Sequence, residues 1–318
     1  MADARWLEGR RASLRPRTAD RYASLLRVHI APAIGHVPLQ KLTANDLDRL
    51  YAALLTDGHQ RAKGEPLSPR SVRFTHTVIR KALADAVRKR MVTTNVADFA
   101  EPPAHRACRP PEMTVWSPPE LAAFLDATVD HEHGVLFRTA AMTGMRRGEL
   151  GALRWRDLDL DVGTLTVRRA LAKVEGQWRI VEPKTEASRR TIDVDTSTTA
   201  ALRRHRQALL ERRLVLGAGW SENDLVFPAI AGGPADLDAW GKSFRRAVRD
   251  AGLPVIRLHD LRHSHASHML ASTDVRTVAA RLGHSDPGMT LRVYAHVMPG
   301  RQAAAASAVA ALVEGAQR

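Results

Sequence analysis

Six prolines, Pro102, Pro103, Pro110, Pro111, Pro118 and Pro119, crowd residues 100–119. Proline fixes φ and has no N–H to give to a helix or sheet, and it drives the residue before it into extended backbone. A run this dense cannot lie inside a helix or a central strand. It therefore divides the 318-residue chain into two folding regions joined by a stiff, extended strap. The expected boundaries are 1–105 for the first domain, 106–116 for the linker and 117–318 for the second domain.

Charge narrows the partner. Lys and Arg number 48 against 34 Asp and Glu, a formal net charge of +14. Up to residue 105 there are 18 basic and 10 acidic residues, and beyond it 30 and 24, so both regions are basic. That distribution suits a polyanion gripped from two sides better than a basic tail on a neutral enzyme. Aromatic residues make up only 5%, which argues against stacking platforms for single strands and leaves duplex nucleic acid as the expected partner. No stretch approaches the roughly 18 apolar residues of a membrane span. Met1–Arg11 lacks the apolar core of a signal peptide. The single cysteine, Cys108, excludes an internal disulfide framework and a Cys-cluster metal site. A cytoplasmic, membrane-free protein is expected.

The pattern of elements is mainly α with a small antiparallel β-sheet. Thr18 is placed to cap a helix running to Ile30 and closed by Ala31-Pro32. Thr43 caps a second, carrying Leu47, Leu50, Tyr51, Leu54 and Leu55 at helical spacing. Ser68-Pro69 opens a long third helix to about Arg90, apolar through Val72, Val78, Ile79, Leu83 and Val87. Its other side carries Arg70, Arg73, Arg80, Lys81, Arg88, Lys89 and Arg90, with Asp85 as the lone acid, so phosphate-backbone contact is expected there. Ser117 and Glu120 form a capping box that starts the second domain, followed by helices to about Asp130, to about Met142 and over 146–153. Alternating segments at 164–170, 177–181 and 190–194 predict one small sheet with a hairpin at Glu175-Gly176. Helices resume at about 197–214, 236–250, 259–271, 274–282, 286–297 and 301–315.

The second domain holds the residues suited to chemistry. Arg146 and Glu149 stand at i and i+3 in TGMRRGEL (143–150), and His259 and Arg262 at i and i+3 in HDLR (259–262). His284 follows a helix end, and Tyr294 lies ten residues further on. Tyr22 and Tyr51, the other two tyrosines of the chain, sit at core-like spacing. Guanidinium forks can hold the negative charge that builds on a phosphodiester under attack. A tyrosine hydroxyl, with its free pKa of about 10, needs a cationic setting to act as nucleophile. Lysine is a natural proton donor to a leaving alkoxide. Only Lys173, Lys184 and Lys242 occur in this domain, and Lys184 lies where a loop at the hairpin edge could deliver it. Read singly each signal is weak, since an HxxR pair is usually a salt-bridge face. In the order Arg, Lys, HxxR, His, Tyr they are specific.

In TGMRRGEL (143–150), PKTEASRRTI (183–192), HDLRHSHASHML (259–270) and LGHSDPGMTLRVYAHV (282–297), the chain resembles the tyrosine recombinases, or phage integrase family. The resemblance extends from about Trp6 to Val297. It implies a helical, SAM-like core-type DNA-binding domain followed by a mixed α/β tyrosine-recombinase catalytic domain with a C-terminal exchange helix. It further implies that Arg146 and Arg262 clamp the scissile phosphate, and that Lys184 is the acid for the leaving 5′-oxygen. His259 would be base or hydrogen-bond partner, His284 a second donor, Glu149 a support and Tyr294 the nucleophile of a 3′-phosphotyrosyl link. Arg70, Arg73, Arg80, Lys81, Arg88, Arg147 and Arg189 are the expected DNA contacts. No cofactor or metal is expected. The implied partners are double-stranded DNA, a homo-tetramer formed on it from solution monomers, and accessory DNA-bending or directionality factors. The implied act is integration or excision of a mobile element. A chain starting this close to the core-binding domain is expected to hold no arm-binding N-terminal domain.

Three other readings compete. His259 and His263, with His265 and His268 nearby, suggest a zinc hydrolase, but no HExxH-type pattern supplies the catalytic carboxylate. A non-catalytic DNA-binding regulator would explain the charge and leave the catalytic set unused. A type IB topoisomerase would share the chemistry.

Overall fold

Capping residues mark where the chain can turn helical, and most act as the sequence suggests. The computed structural model describes residues 2–58, 65–108, 113–174, 176–182 and 189–284, together with 286, 288, 307, 310 and 314. The chain divides into two compact units, Met1–Glu112 with Val174–Gly176, and Met113–Lys173 with Gln177–Arg318. In the first, α1 (Ala2–Arg11) and α2 (Pro16–Leu25) lead through a π-helical turn, Leu26–Ile30, into α3 (Ala31–Ile34). The next two are α4 (Ala44–Thr56) and α5 (Pro69–Arg88). The Thr43 hydroxyl accepts from the Asp46 N–H at 3.3 Å, and the Asp46 carboxylate accepts from the Thr43 N–H at 3.0 Å. Ser68 Oγ accepts from the Ser71 N–H, with Pro69 in the first turn, where its missing N–H costs nothing.

Leu47, Leu50, Tyr51 and Leu54 of α4 and Val72, Val78, Ile79 and Leu83 of α5 form this unit's core with Tyr22, Leu26 and Ile30. Tyr22 stacks on Trp6, and the Tyr51 hydroxyl meets His76 Nδ1 at 2.9 Å. Some expectations are corrected. The first long helix starts after Arg15, which makes no side-chain cap, rather than at Thr18. It does not stop at Ala31-Pro32, because the π turn widens the helix there and Pro32 falls in the first turn of α3. Leu55 is 36% exposed, one position off the buried stripe. The third helix ends at Arg88, two residues early, with Arg90 in left-handed backbone at φ 58°.

Near the start of the second unit, Trp116 is completely buried. Its backbone N–H donates to Ser264 Oγ, its indole N–H to the Pro254 carbonyl, and its carbonyl accepts from His268 Nε2. The ring packs against Phe124 and Phe244, with centroids 4.9 and 6.0 Å away. The Ser117–Glu120 capping box then starts α6 (Pro118–Ala127), which ends three residues before the expected Asp130. Two helices follow, α7 (Gly134–Thr143) and the single turn α8 (Arg147–Gly151).

The strands are β1 (Leu158–Asp159), β2 (Thr164–Val167), β3 (Ala170–Val174), β4 (Gln177–Val181) and β5 (Arg190–Asp193). They form two sheets rather than the single one predicted, an antiparallel β1-β2-β5 and a separate β3-β4 pair. The predicted strand 164–170 breaks because Arg168 and Arg169 both pair with the buried Asp157 carboxylate, at 3.3 and 3.0 Å. Two neighbours reaching one carboxylate cannot keep the alternation of a strand. Gly176 has φ +81°, as a tight turn requires, and Glu175 lies outside the described residues. In β2-β5 the register pairs Leu165 with Ile192 and Val167 with Arg190. The unit closes with α9 (Thr196–Leu216), α10 (Leu237–Asp250), α11 (Asp260–Ser272) and α12 (Val275–Leu282). Of the predicted helices at 286–297 and 301–315, almost all residues lie outside the described ones. Among the described residues no helix is long and apolar enough to cross a membrane.

Trp116 carries both an aromatic core and three hydrogen bonds, so Trp116→Ala should destabilise the protein by about 3–5 kcal/mol. Urea unfolding of the full chain, followed by circular dichroism, measures this; an unchanged midpoint would show that the strap is not anchored there.

Candidate active site

The site is assembled around the end of α12. A helix leaves its last carbonyls without intrahelical partners, and these carry the negative end of the helix dipole. Gly283 ends α12 in left-handed backbone, φ 66°, a conformation glycine adopts without penalty. Three consecutive carbonyls at this end accept from three arginines. Arg190 Nε donates to Arg281 O at 2.6 Å, Arg262 Nη2 to Leu282 O at 2.6 Å, and Arg146 Nη2 to Gly283 O at 3.1 Å. The donors come from β5, α11 and the start of α8, so distant parts of the sequence converge on one helical turn.

Glu149 is the second anchor. Its carboxylate is 5% exposed and accepts from the Arg146 backbone N–H and from Arg146 Nη1, both at 2.9 Å. Arg190 adds Nη1 at 3.2 Å and Nη2 at 2.8 Å. Burial alone would raise this carboxyl's pKa. The hydrogen bonds and charge of Arg190, then the charge of Arg146, outweigh it and hold the group below the usual carboxylate range. The Arg146 side chain keeps 36% exposure, so one edge of it faces outward.

Gly144 makes the approach possible. It ends α7 at φ +64°, and a Cβ there would lie 2.7 Å from His265 Cδ2 and 2.9 Å from Leu282 Cδ2. Its carbonyl accepts from Arg262 Nη1 at 2.7 Å, and Arg262 is 3% exposed. Arg262 Nη2 also meets His284 Nε2 at 2.9 Å. Guanidinium can only donate, so Nε2 is the acceptor and the proton of this neutral imidazole sits on Nδ1. Desolvation, then the charges of Arg262, Arg146 and Arg190, lower the His284 pKa to about 4.

His259 stands at the N-terminal boundary of α11, its ring edge-on to His263 with centroids 5.3 Å apart. Crowding by protein atoms, then the neighbouring His263 and Arg262, lower its pKa to about 4, although the residue keeps an exposed edge. The other histidines of α11 have structural work. His265 Nε2 accepts from Arg281 Nε at 3.1 Å, and His268 holds the Trp116 carbonyl. Among the described residues no three His, Cys, Asp or Glu side chains are grouped as a metal site would need.

The structure thus brings together Arg146, Glu149, Arg262 and His284, and sets His259 beside Arg262. Lys184 and Tyr294 lie outside the described residues. The expected DNA contacts are mostly engaged within their own units. Arg73 donates to Pro103 O and meets His105, and Arg88 pairs with Asp85. Arg80 pairs with Asp98 at 2.5 Å, which corrects the expectation that Asp85 is the only acid beside this face. Lys81 lies over the Tyr22 ring, and Arg70 is exposed. Arg147 donates to Leu237 O and pairs with Asp238, while Arg189 stands 3.7 Å from Glu182. The pairs of Arg80 and Arg189 are solvent-exposed and weak, so phosphate can replace the carboxylate, whereas Arg88 is held by the buried Asp85.

Sequence reasoning missed Arg190. The signal was its place at i−2 from Ile192 in a strand, which puts an arginine on the face that carries the core. Such a charge requires a buried partner.

His265 and His284 have folded-state pKa values of about 4 against an ordinary 6.5. The unfolded chain therefore takes up protons first on acidification, and stability present above pH 6.5 is lost as pH falls toward 4. At pH 5 the half-buried His265 alone should cost about 1–2 kcal/mol relative to pH 7. Urea midpoints at the two pH values test this, and His265→Gln should flatten the difference; an equal slope in that variant would contradict the assignment.

Known proteins resemble this chain over most of its length. The model of the phage integrase family matches residues 118–301, and that of the phage integrase N-terminal SAM-like domain matches 4–55. An integrase of Streptomyces ambofaciens is 30% identical over 298 residues, covering 91% of this chain and 74% of that one. A putative prophage phiRv2 integrase of Mycobacterium tuberculosis is 30% identical over 315 residues, covering 97% and 77%. The solved structure of the Tn1549 transposon integrase with transposon right end DNA shares the fold, with a TM-score of 0.77 at 21% identity over 97% of this chain and 99% of that one. The carbonyl-bound arginines and their glutamate thus lie within the region that the phage integrase model matches, which is more than half of the chain, and the chain belongs to the phage integrase family, the tyrosine recombinases.

Proposed function

We propose that the chain is a site-specific DNA recombinase that cuts and rejoins duplex DNA through a 3′-phosphotyrosyl link, integrating or excising a mobile element. The observation that carries this reading is the convergence of Arg146, Arg262 and His284 on the end of α12. Two guanidiniums and an imidazole N–H there suit the non-bridging oxygens of one phosphodiester, whose charge grows during attack. Tyr294 is the nucleophile in this reading. Tyr22 and Tyr51, the only other tyrosines, are committed to the core of the first unit.

The residue roles follow from the chemistry. Arg146 presents its exposed edge to the phosphate, and Arg262 joins it as DNA docks. His284, its Nε2 fixed by Arg262, donates from Nδ1 to a phosphate oxygen. His259, neutral above about pH 4 in the free protein, accepts the tyrosine proton or holds it through a hydrogen bond. Lys184 protonates the leaving 5′-oxygen. Glu149 touches no DNA and holds Arg146 in place.

The first unit, residues 1–105, serves as the core-type DNA-binding domain, and residues 117–318 as the catalytic domain, with 106–116 between them. Several solved relatives of the same fold are bound to DNA, and a lambda integrase tetramer is bound to a Holliday junction. In keeping with them, this chain acts on double-stranded DNA as a homo-tetramer, in the cytoplasm and on the chromosome, with the C-terminal segment exchanged between protomers. A regulator without catalysis would have no use for the buried Glu149 holding Arg146.

Incubation with nicked duplex fragments of genomic DNA, followed by SDS and sequencing of protein-bound strands, should recover a covalent complex at a defined sequence. Tyr294→Phe should bind the same DNA and yield none; an SDS-stable band from that variant would exclude Tyr294. With a 5′-bridging phosphorothiolate, whose leaving group needs no proton, Lys184→Ala should recover cleavage while Arg146→Ala should not. Equal failure of both would remove Lys184 as the acid.

A further inference from the structure

We propose that Arg190 is a positioning residue for the cleavage step, setting both the place and the effective charge of Arg146. This rests on the recombinase reading above, in which Arg146 meets the scissile phosphate. The Arg190 side chain is 6% exposed and pairs with the buried Glu149 carboxylate at 2.8 Å. It stands on the buried face of β5, opposite Val167, where an apolar side chain would pack at less cost. All three of its guanidinium nitrogens are used. Nη1 and Nη2 grip the two oxygens of Glu149, and Nε holds the Arg281 carbonyl at the end of α12.

That geometry has two consequences. The first is positional. Each oxygen of Glu149 is shared between the two arginines, Oε1 by Arg146 Nη1 and Arg190 Nη1, and Oε2 by the Arg146 backbone N–H and Arg190 Nη2. Without Arg190 the carboxylate is free to turn and take the Arg146 fork bidentately, drawing it off the Gly283 carbonyl. The second is electrostatic. Arg146 and Glu149 alone form a neutral pair, whereas the three groups together carry one surplus positive charge. In a buried setting that surplus acts on a phosphate at short range. Arg190 thus supplies charge without touching the substrate.

The test uses the full chain and a nicked duplex carrying the sequence recovered by covalent capture, with either the natural scissile phosphate or a neutral methylphosphonate in its place. Adduct formation is followed in a single turnover at saturating DNA, alongside DNA affinity. Displacement of a catalytic group by about an ångström costs on the order of 100-fold in rate, so Arg190→Gln should slow cleavage of the phosphate substrate by that order with affinity within about threefold of wild type. On methylphosphonate the deficit should shrink several-fold, because less charge needs compensation. Arg190→Lys, which keeps the charge and loses the fork, should fall between wild type and Arg190→Gln. Adding Arg190→Gln to Arg146→Ala should cost little more than Arg146→Ala alone. Additive losses, equal deficits on both substrates, wild-type rates in Arg190→Gln, or failure of both Arg190 variants to fold would each overturn the proposal in favour of a purely structural role. Absence of any adduct from the wild-type chain would instead overturn the recombinase reading on which it rests.

Discussion

The C-terminal turn of α12 cannot satisfy its own carbonyls, and the site is built on that deficit. Arg190, Arg262 and Arg146 answer it at residues 281, 282 and 283. Each bond pairs a cation with the negative end of a helix, so the turn and the arginines order one another. Left-handed Gly283 ends the helix and places His284 directly against Arg262. Because Tyr294 follows ten residues later, the same turn lies on the covalent path between the groups proposed to bind phosphate and the proposed nucleophile.

Glu149 makes the cationic cluster tolerable. Like charges brought this close would repel, and a buried arginine without a partner is costly. One carboxylate shared by Arg146 and Arg190 neutralises part of the cluster while leaving it positive. The histidines complete the balance. His284, its pKa lowered to about 4 by desolvation and by Arg262, Arg146 and Arg190, adds no charge at neutral pH. In the proposed reaction it therefore offers a hydrogen-bond donor to an incoming phosphate without increasing the repulsion in the DNA-free protein.

Much of this was legible in the sequence. Thr43, Ser68 and Ser117 mark helix starts by local chemistry, and the i, i+3 spacing brings Arg146 and Glu149 together, though as a capping box with Arg146 extended ahead of α8 rather than on a helical face. Other features depend on tertiary partners and could not be read locally. The π turn at Leu26–Ile30 carries the helix past Pro32, where local rules stop it. Asp157 splits one predicted strand into two by drawing in Arg168 and Arg169. Asp98, outside α5 in sequence, supplies the acid that Arg80 was expected to lack. Arg190 was hidden for a related reason, since its value lies in what Glu149 and α12 bring to it.

The charge of Glu149 stabilises the buried cluster and, beyond that, holds Arg146 in place for chemistry. Single-turnover adduct formation by Glu149→Gln at saturating DNA tests it most directly, with affinity and thermal unfolding measured on the same preparation. Loss of the carboxylate charge should leave a folded protein that binds DNA within about threefold of wild type and forms the tyrosyl adduct on the order of 100-fold more slowly. Adduct formation at the wild-type rate would contradict the account.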